Sequence, residues 1–319
     1  MHRISVTVLV LCLLGISFTT AQLNNITVVI YKNNTSVTLL KAATLLNETY
    51  ITEILIEEED VPVLKTGIFD SLFLLQTVNV RNTNLVTLQP NIFKGLKRIR
   101  KINLNFNKID SVPPNVFTNI PVYIIALRGN GIKQISENAF YNLQNLRNLD
   151  LGSNNIELLP KNLFVNTKNL KYIDLSYNKL RHFPAVPYKP YPFFDVAFAN
   201  MVPGEPSFLD LSYNNFSFIS YYLLRGIYYI DELRLQNNHI KLISEYAFDD
   251  FTKINTLNLD GNDLKEMSDG LLGVLTYVEN VKVENNPWRE SFVCKYTDWC
   301  ERHEKSNYME MKCPLKLWL

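Results

Sequence analysis

Glycine, cysteine and histidine are scarce in this chain: its 319 residues hold 11 Gly, 4 Cys and 4 His. His2, His182, His239 and His303 lie too far apart for any pair to have metal-ligand spacing. No His-Glu-x-x-His, Gly-x-Ser-x-Gly or phosphate-loop pattern occurs. No catalytic residue, metal site or cofactor is therefore expected, and the chain is not read as an enzyme. Charge of either sign is also missing in bulk. Lys+Arg 32 against Asp+Glu 31 leaves a net +1, which argues against a nucleic-acid binder driven by overall charge. Two residue types are abundant instead, with 45 Leu and 37 Asn dispersed rather than run together. Such a bias asks for an internal repeat. A disordered Asn-rich chain is excluded because 47% of the residues are hydrophobic and can bury a core.

The N-terminus is set aside first. Arg3 precedes an apolar run from Val6 to Ile16, then Thr19-Thr20-Ala21, which reads as a signal peptide over residues 1–21. The run is shorter than the roughly 20 residues of a membrane span. Removing Arg3 leaves 31 basic against 31 acidic residues. With no lipid-anchor tail at Lys312–Leu319 either, the expected product is secreted and extracellular, with no membrane anchor. Glycosylation sequons at Asn25, Asn33, Asn34, Asn47 and Asn215 suit that compartment, and four of the five crowd behind the leader.

The pattern Leu-x-x-Leu-x-Leu-x-x-Asn-x-Leu recurs ten times. Copies open at Ile51, Leu75, Ile99, Val122, Leu146, Leu170, Pro206, Ile230, Ile254 and Val278, at intervals of 24 or 23 residues with one interval of 36. In each copy alternate apolar residues, such as Leu149 and Leu151, point to one side of a short strand while Asp150 and Gly152 point to the other. One copy cannot bury its apolar edge, so copies must stack into a parallel sheet with a continuous core. Asn at the ninth position (107, 130, 154, 178, 214, 238, 262 and 286) is placed to satisfy backbone groups where the chain leaves the strand. Glu59 and Thr83 replace it in the first two copies, which predicts a weaker ladder there. A second column, Phe69, Phe93, Phe117, Phe140, Phe164, Leu224, Phe248 and Leu272, predicts a packed spine behind the sheet.

Stretches such as Leu146-Arg-Asn-Leu-Asp-Leu-Gly-Ser-Asn-Asn-Ile resemble the extracellular leucine-rich repeat superfamily across about residues 51–288. The resemblance implies an α/β-type solenoid, a curved horseshoe with about ten parallel strands on its concave face and a cap at each end. Residues 22–50 form the expected N-terminal cap, with Ile26, Val28 and Ile30 and then Val37 and Leu39 in the pattern of a hairpin. Relatives often place a cysteine cluster there, and this chain has none. Residues 289–319 form the expected C-terminal cap. Asn285-Asn286-Pro287-Trp288 followed by Cys294, Cys300 and Cys313 resembles the cysteine-rich flank of that superfamily, without its closely spaced cysteine pair. On a helix over 291–304, Cys294 and Cys300 would lie on different faces. Pairing of Cys294 with Cys313 is favoured, which leaves Cys300 either buried and inert or free to form a disulfide-linked dimer.

Two regions stand out as binding sites. The 36-residue interval contains an insertion at 183–206 that holds six of the 14 prolines, with Tyr188, Tyr191, Phe193 and Phe194 among them. Such a loop is stiff and can carry function, or its aromatics can fold back over a gap in the Phe column. Along the strands the outward positions carry charge in blocks: Glu53, Glu57 and Glu58, then Arg81, Arg100, Lys101, Arg128 and Arg147, then Asp150, Asp174 and Asp210. Beside the last block sit Tyr172, Tyr177, Phe208 and Tyr213. Aromatics and Arg concentrate at interface hot spots, so the patch from Arg128 to Tyr213 is the predicted ligand surface, although Asp and Tyr are also consensus residues of the repeat. The sequence looks like the secreted leucine-rich immune proteins of mosquitoes, which resemble Toll ectodomains. That resemblance implies recognition of a protein partner, complement-like or from a pathogen surface, in innate immunity. An extracellular adhesion, matrix or decoy-receptor role is the alternative.

Overall fold

The computed structural model describes residues 2–4, 26–30, 51–57, 62–70, 72–160, 163–164, 167, 169–181, 208–220, 223–224, 227–249, 251, 253–305 and 313. The chain divides into two compact units. The first comprises Met1–Asn155 and Leu163–Leu170, and the second Ile156–Asn162 and Lys171–Leu319. Each is a stack of repeats, and together they contain all ten expected strands.

In the first unit the strands Ile51–Glu57, Thr77–Arg81, Lys101–Asn103, Ile124–Ala126 and Asn148–Asp150 follow one another in parallel. Their register places Val78 beside Ile102, Ile102 beside Ile125 and Ile125 beside Leu149. These apolar partners are wholly buried. Two further parallel strands precede them, His2–Ile4 and Ile26–Ile30. The second arm of the expected hairpin, at Val37 and Leu39, and the remainder of the expected leader lie outside the described residues.

The second unit repeats the arrangement with Tyr172–Asp174, Phe208–Asp210, Tyr229–Arg234, Lys253–Asn258 and Val278–Lys282. The wall opposite the strands has little regular structure. It contains two-residue strand pairs, such as Phe218–Ile219 with Leu242–Ile243, and one short helix, Asp269–Leu275, capped by the Ser268 side chain. Among the described residues no helix is long and apolar enough to cross a membrane.

Two side-chain columns hold the repeats in register. Phe69, Phe93, Phe117 and Phe140 stack in sequence with ring centroids 5.7, 5.4 and 5.5 Å apart, and in the second unit Leu224, Phe248 and Leu272 are buried at the equivalent places. The column is core, as its period predicts. The asparagines form the other column. Asn154 donates through Nδ2 to the carbonyls of Leu151 and Gly152 in its own turn and of Leu127 one repeat earlier, while its Oδ1 accepts from Ile132 N–H. Thr83 partly replaces the missing amide. Its N–H and hydroxyl both donate to Asn107 Oδ1, and its Oγ1 accepts from Leu85 N–H. Thr83 has no second donor for the carbonyls that an Asn would reach, in keeping with the weaker ladder expected there. Glu59 lies outside the described residues.

The C-terminal end is closed by the helix Glu290–Arg302. Trp288 donates from its indole to Val283 O at 2.9 Å, and a run of rings continues from Trp288 through Phe292, Tyr296 and Trp299 to His303. Lys305 Nζ donates to the carbonyls of Thr276 and Val278, which ties the end of the helix back to the last repeat. Cys294 and Cys313 form a disulfide. Cys300 is fully buried, and that burial pushes its thiol up. Thiol–disulfide exchange needs the opposite, an accessible and easily ionised sulfur. The protein is therefore expected to migrate as a monomer on a denaturing gel with or without reductant. A band of twice the mass that collapses on reduction would place Cys300 in an intermolecular bridge.

Candidate binding surface

The outward strand positions of the second unit bring four of the predicted residues together and add two that sequence reasoning missed. Tyr172 is in register with Phe208, and Phe208 with Glu232; on the next outward row Asp174, Asp210 and Arg234 are in register. The Tyr172 and Phe208 rings stack at 4.5 Å with 4° between their planes. The Arg234 guanidinium lies 4.7 Å over the Phe208 ring. It also pairs with Glu232 at 2.7 Å and approaches Asp210 Oδ2 at 3.5 Å. These contacts fix a stack of two rings and a guanidinium on a rigid backbone, and planar cations and aromatics of this kind dominate interface energetics. Glu232 and Arg234 had a signal in the sequence: each follows its neighbour, Phe208 or Asp210, by one 24-residue period.

The carboxylates behave differently from a charged recognition row. Asp174 Oδ1 accepts from Ser176 N–H and hydroxyl at 2.9 and 2.6 Å, and Asp210 Oδ1 from Ser212 N–H and hydroxyl at 2.9 and 2.5 Å. Both side chains are buried. They brace the turn that ends the strand, which is local backbone satisfaction of the kind Asp favours. Burial, with a smaller contribution from neighbouring Asp174, holds the Asp210 carboxyl above the ordinary carboxylate range. A raised carboxyl favours the fold while protonated and loses that contribution as pH rises through the carboxylate range. Asp210→Asn keeps an acceptor for Ser212 and removes the buried charge. It is expected to match or exceed wild-type stability at neutral pH and to flatten the change in thermal midpoint between acid and neutral pH. A clear destabilisation at neutral pH would show that the charge itself supports the fold.

Just past nine of the ten strands, the residue preceding the ladder position adopts left-handed backbone geometry. In the first unit these are Asn82, Phe106, Gly129 and Ser153, and in the second Tyr177, Tyr213, Asn237, Gly261 and Asn285. Asn and Gly suit this geometry, whereas a bulky side chain there is strained by roughly 1 kcal/mol or more. Tyr177 at φ 55° and Tyr213 at φ 54° occupy it nevertheless. Both stay exposed, 49% and 41%, with rings stacked 4.1 Å apart. Phe106 at φ 57° in the first unit is exposed in the same way, so the geometry belongs to the turn, and what sets Tyr177 and Tyr213 apart is the exposed stack they form together.

The remaining predicted residues fall elsewhere. Arg128 pairs with Asp150 at 3.4 Å, and Arg147 lies 5.6 Å over the Tyr123 ring, all within the first unit. Asn215 is half-buried, and its N–H donates to Leu180 O at 2.8 Å. The loop residues Tyr188, Tyr191, Phe193 and Phe194, and the sequons at Asn25, Asn33, Asn34 and Asn47, lie outside the described residues. Among the described residues no group of three or more His, Cys, Asp or Glu side chains is placed to hold a metal ion.

This architecture is that of a leucine-rich repeat protein. The family described as leucine rich repeat matches residues 74–122, 120–180 and 208–264, just over half of the chain, and the chain belongs to it. No curated protein is a significant match. Among solved structures the fold is similar to a chain of the Drosophila Toll–Spatzle complex, described as a molecular hub in development and innate immunity (TM-score 0.69, 21% identity, 83% of this chain and 35% of that one). It is also similar to a chain of the mouse RP105/MD-1 complex (0.67, 17%, 90% and 50%) and to the LRIM1 leucine-rich repeat domain (0.57, 14%, 87% and 80%). The protein thus spans about a third of the chain in the Toll complex and half of that in the RP105 complex. At these identities the likeness is one of fold. Two of these neighbours were solved with protein partners, Spatzle and MD-1.

Proposed function

We propose that this chain is a secreted recognition protein of innate immunity which binds a protein or pathogen-derived ligand through the strand face of its second unit, with the loop at 183–206 as an accessory contact. In this reading residues 1–21 are the leader, 22–50 and 289–319 the caps, and 51–288 the repeats. The observation that supports it most is the exposed stack of Tyr177 on Tyr213 beside the Tyr172–Phe208–Arg234 cluster. Rigid rings lose little side-chain entropy on binding, and a guanidinium held by Glu232 is already oriented for a partner.

The reading is tested by expressing the full chain with its own N-terminus in eukaryotic cells. It predicts release into the medium with Gln22 as the first residue, and capture of a defined partner from the extracellular fluid of the source organism after immune challenge. Retention inside the cell would overturn the compartment. Homophilic binding, or the same partner captured without challenge, would favour the adhesion role.

A further inference from the structure

A second surface, in the first unit, carries a different chemistry. Residues 71–109 contain no Asp or Glu but seven Lys and Arg. Four of these form the run Lys97-Arg98-Ile99-Arg100-Lys101 at the entry to a strand. Ile99 is fully buried and anchors the run, so the cationic pairs on either side of it are exposed. None of the ion pairs seen among the described residues includes any of these four. In a chain of net charge +1, a concentration of unneutralised cations repels itself and contributes nothing to folding.

The backbone sets one of these charges, Arg100, in a regular file with residues of the neighbouring repeats. Arg100 N–H donates to Gln76 O, Tyr123 N–H to Arg100 O and Arg147 N–H to Tyr123 O, at 2.8, 2.8 and 2.9 Å. The four residues therefore form one file across successive strands. With strands about 4.8 Å apart, the Arg100 and Arg147 backbones are roughly 10 Å apart with Tyr123 between them. The Tyr123 ring, 36% exposed, carries the Arg147 guanidinium 5.6 Å from its centre. Lys97, Arg98, Arg100 and Tyr123, with Gln76 and Pro121, line a shallow cleft of roughly 270 Å³.

We propose that this file binds a sulfated polysaccharide. Guanidinium groups bind oxyanions with paired hydrogen bonds, and two of them set roughly 10 Å apart, with the basic run beside the first, suit a ligand whose anionic groups repeat along its length. The partly exposed Tyr123 ring offers apolar surface to a sugar ring, and the Gln76 amide a partner for its hydroxyls. The cleft lacks the deep apolar pocket that receives a protein hot-spot side chain, and a short basic run of this kind is a recognised polyanion signature. The surface is independent of the second unit's aromatic cluster. It depends on the proposed function only for an extracellular location, where sulfated chains occur.

The test uses the full chain on immobilised heparin. Binding is expected to persist at about 0.15 M salt, with at least tenfold weaker binding to desulfated heparin and to double-stranded DNA. The variant Lys97→Ala/Arg98→Ala/Arg100→Ala/Arg147→Ala should lose at least tenfold in affinity, and Arg147→Ala alone a few-fold. Lys179→Ala/Lys241→Ala/Lys265→Ala/Lys282→Ala removes the same charge from exposed positions in the second unit and should change affinity less than twofold. Tyr123→Ala should weaken binding without altering its salt dependence. Equal losses in the two quadruple variants, or equal binding of DNA or desulfated heparin, would overturn the proposal while leaving the second unit's tyrosine test unaffected.

Discussion

Asn238→Ala is expected to lower the unfolding free energy by about 3–5 kcal/mol. The side chain is 4% exposed. Its Nδ2 donates to Leu235 O and Gln236 O in its own turn and to Leu211 O one repeat earlier, and its Oδ1 accepts from Phe216 N–H at 3.1 Å. Alanine leaves a buried N–H and at least one buried carbonyl unsatisfied, at about 1–3 kcal/mol each. Asn238→Asp separates this account from simple loss of volume. The carboxylate has the amide's shape but turns a donor facing three carbonyls into an acceptor, so it is expected to be at least as damaging. Urea midpoints check both, and a loss below about 1 kcal/mol for either variant would mean that the turn is held by something else.

Phe117→Ala is expected to cost about 3–5 kcal/mol in the first unit. The ring is fully buried and lies between Phe93 and Phe140, with centroids 5.4 and 5.5 Å away. Its removal opens a cavity and breaks two stacking contacts, each contributing roughly 0.5–1.5 kcal/mol. In a stack of repeats each copy contacts only its neighbours, so the damage should be local. Hydrogen exchange is expected to quicken first around Phe93, Phe117 and Phe140. Leucine fills the same place at positions 224 and 272, so Phe117→Leu should cost under half as much. Equal effects of Ala and Leu would contradict a column held by ring packing.

The architecture was legible because its signal is repeated. The interval from Ile51 to Val278 located ten strands, and the same period located Phe117 and Asn238 on their columns, since any side chain that broke the stacking would leave a neighbour unsatisfied. The surface was less legible. Register identifies the face on which Asp174 and Asp210 sit. It does not reveal that Ser176 and Ser212, two residues later, draw those carboxylates into the turn. Arg234 and Glu232 were missed for a related reason, because their importance comes from neighbours a full repeat away, Phe208 and Asp210. The left-handed geometry of Tyr177 and Tyr213 is set by the turn and has no signature in residue type, since Gly261 and Asn285 occupy equivalent positions.

The most direct measurement of whether the second unit's strand face is a recognition surface is the affinity and the thermal midpoint of Tyr177→Asn/Tyr213→Asn, taken side by side. Asn already occupies the equivalent left-handed positions 237 and 285. Relief of strain of roughly 1 kcal/mol per residue offsets the lost ring stacking of about 0.5–1.5 kcal/mol. The predicted result is a midpoint equal to or above wild type, with partner binding at least tenfold weaker. Unchanged binding by a folded variant would contradict the account and move the recognition surface away from these tyrosines.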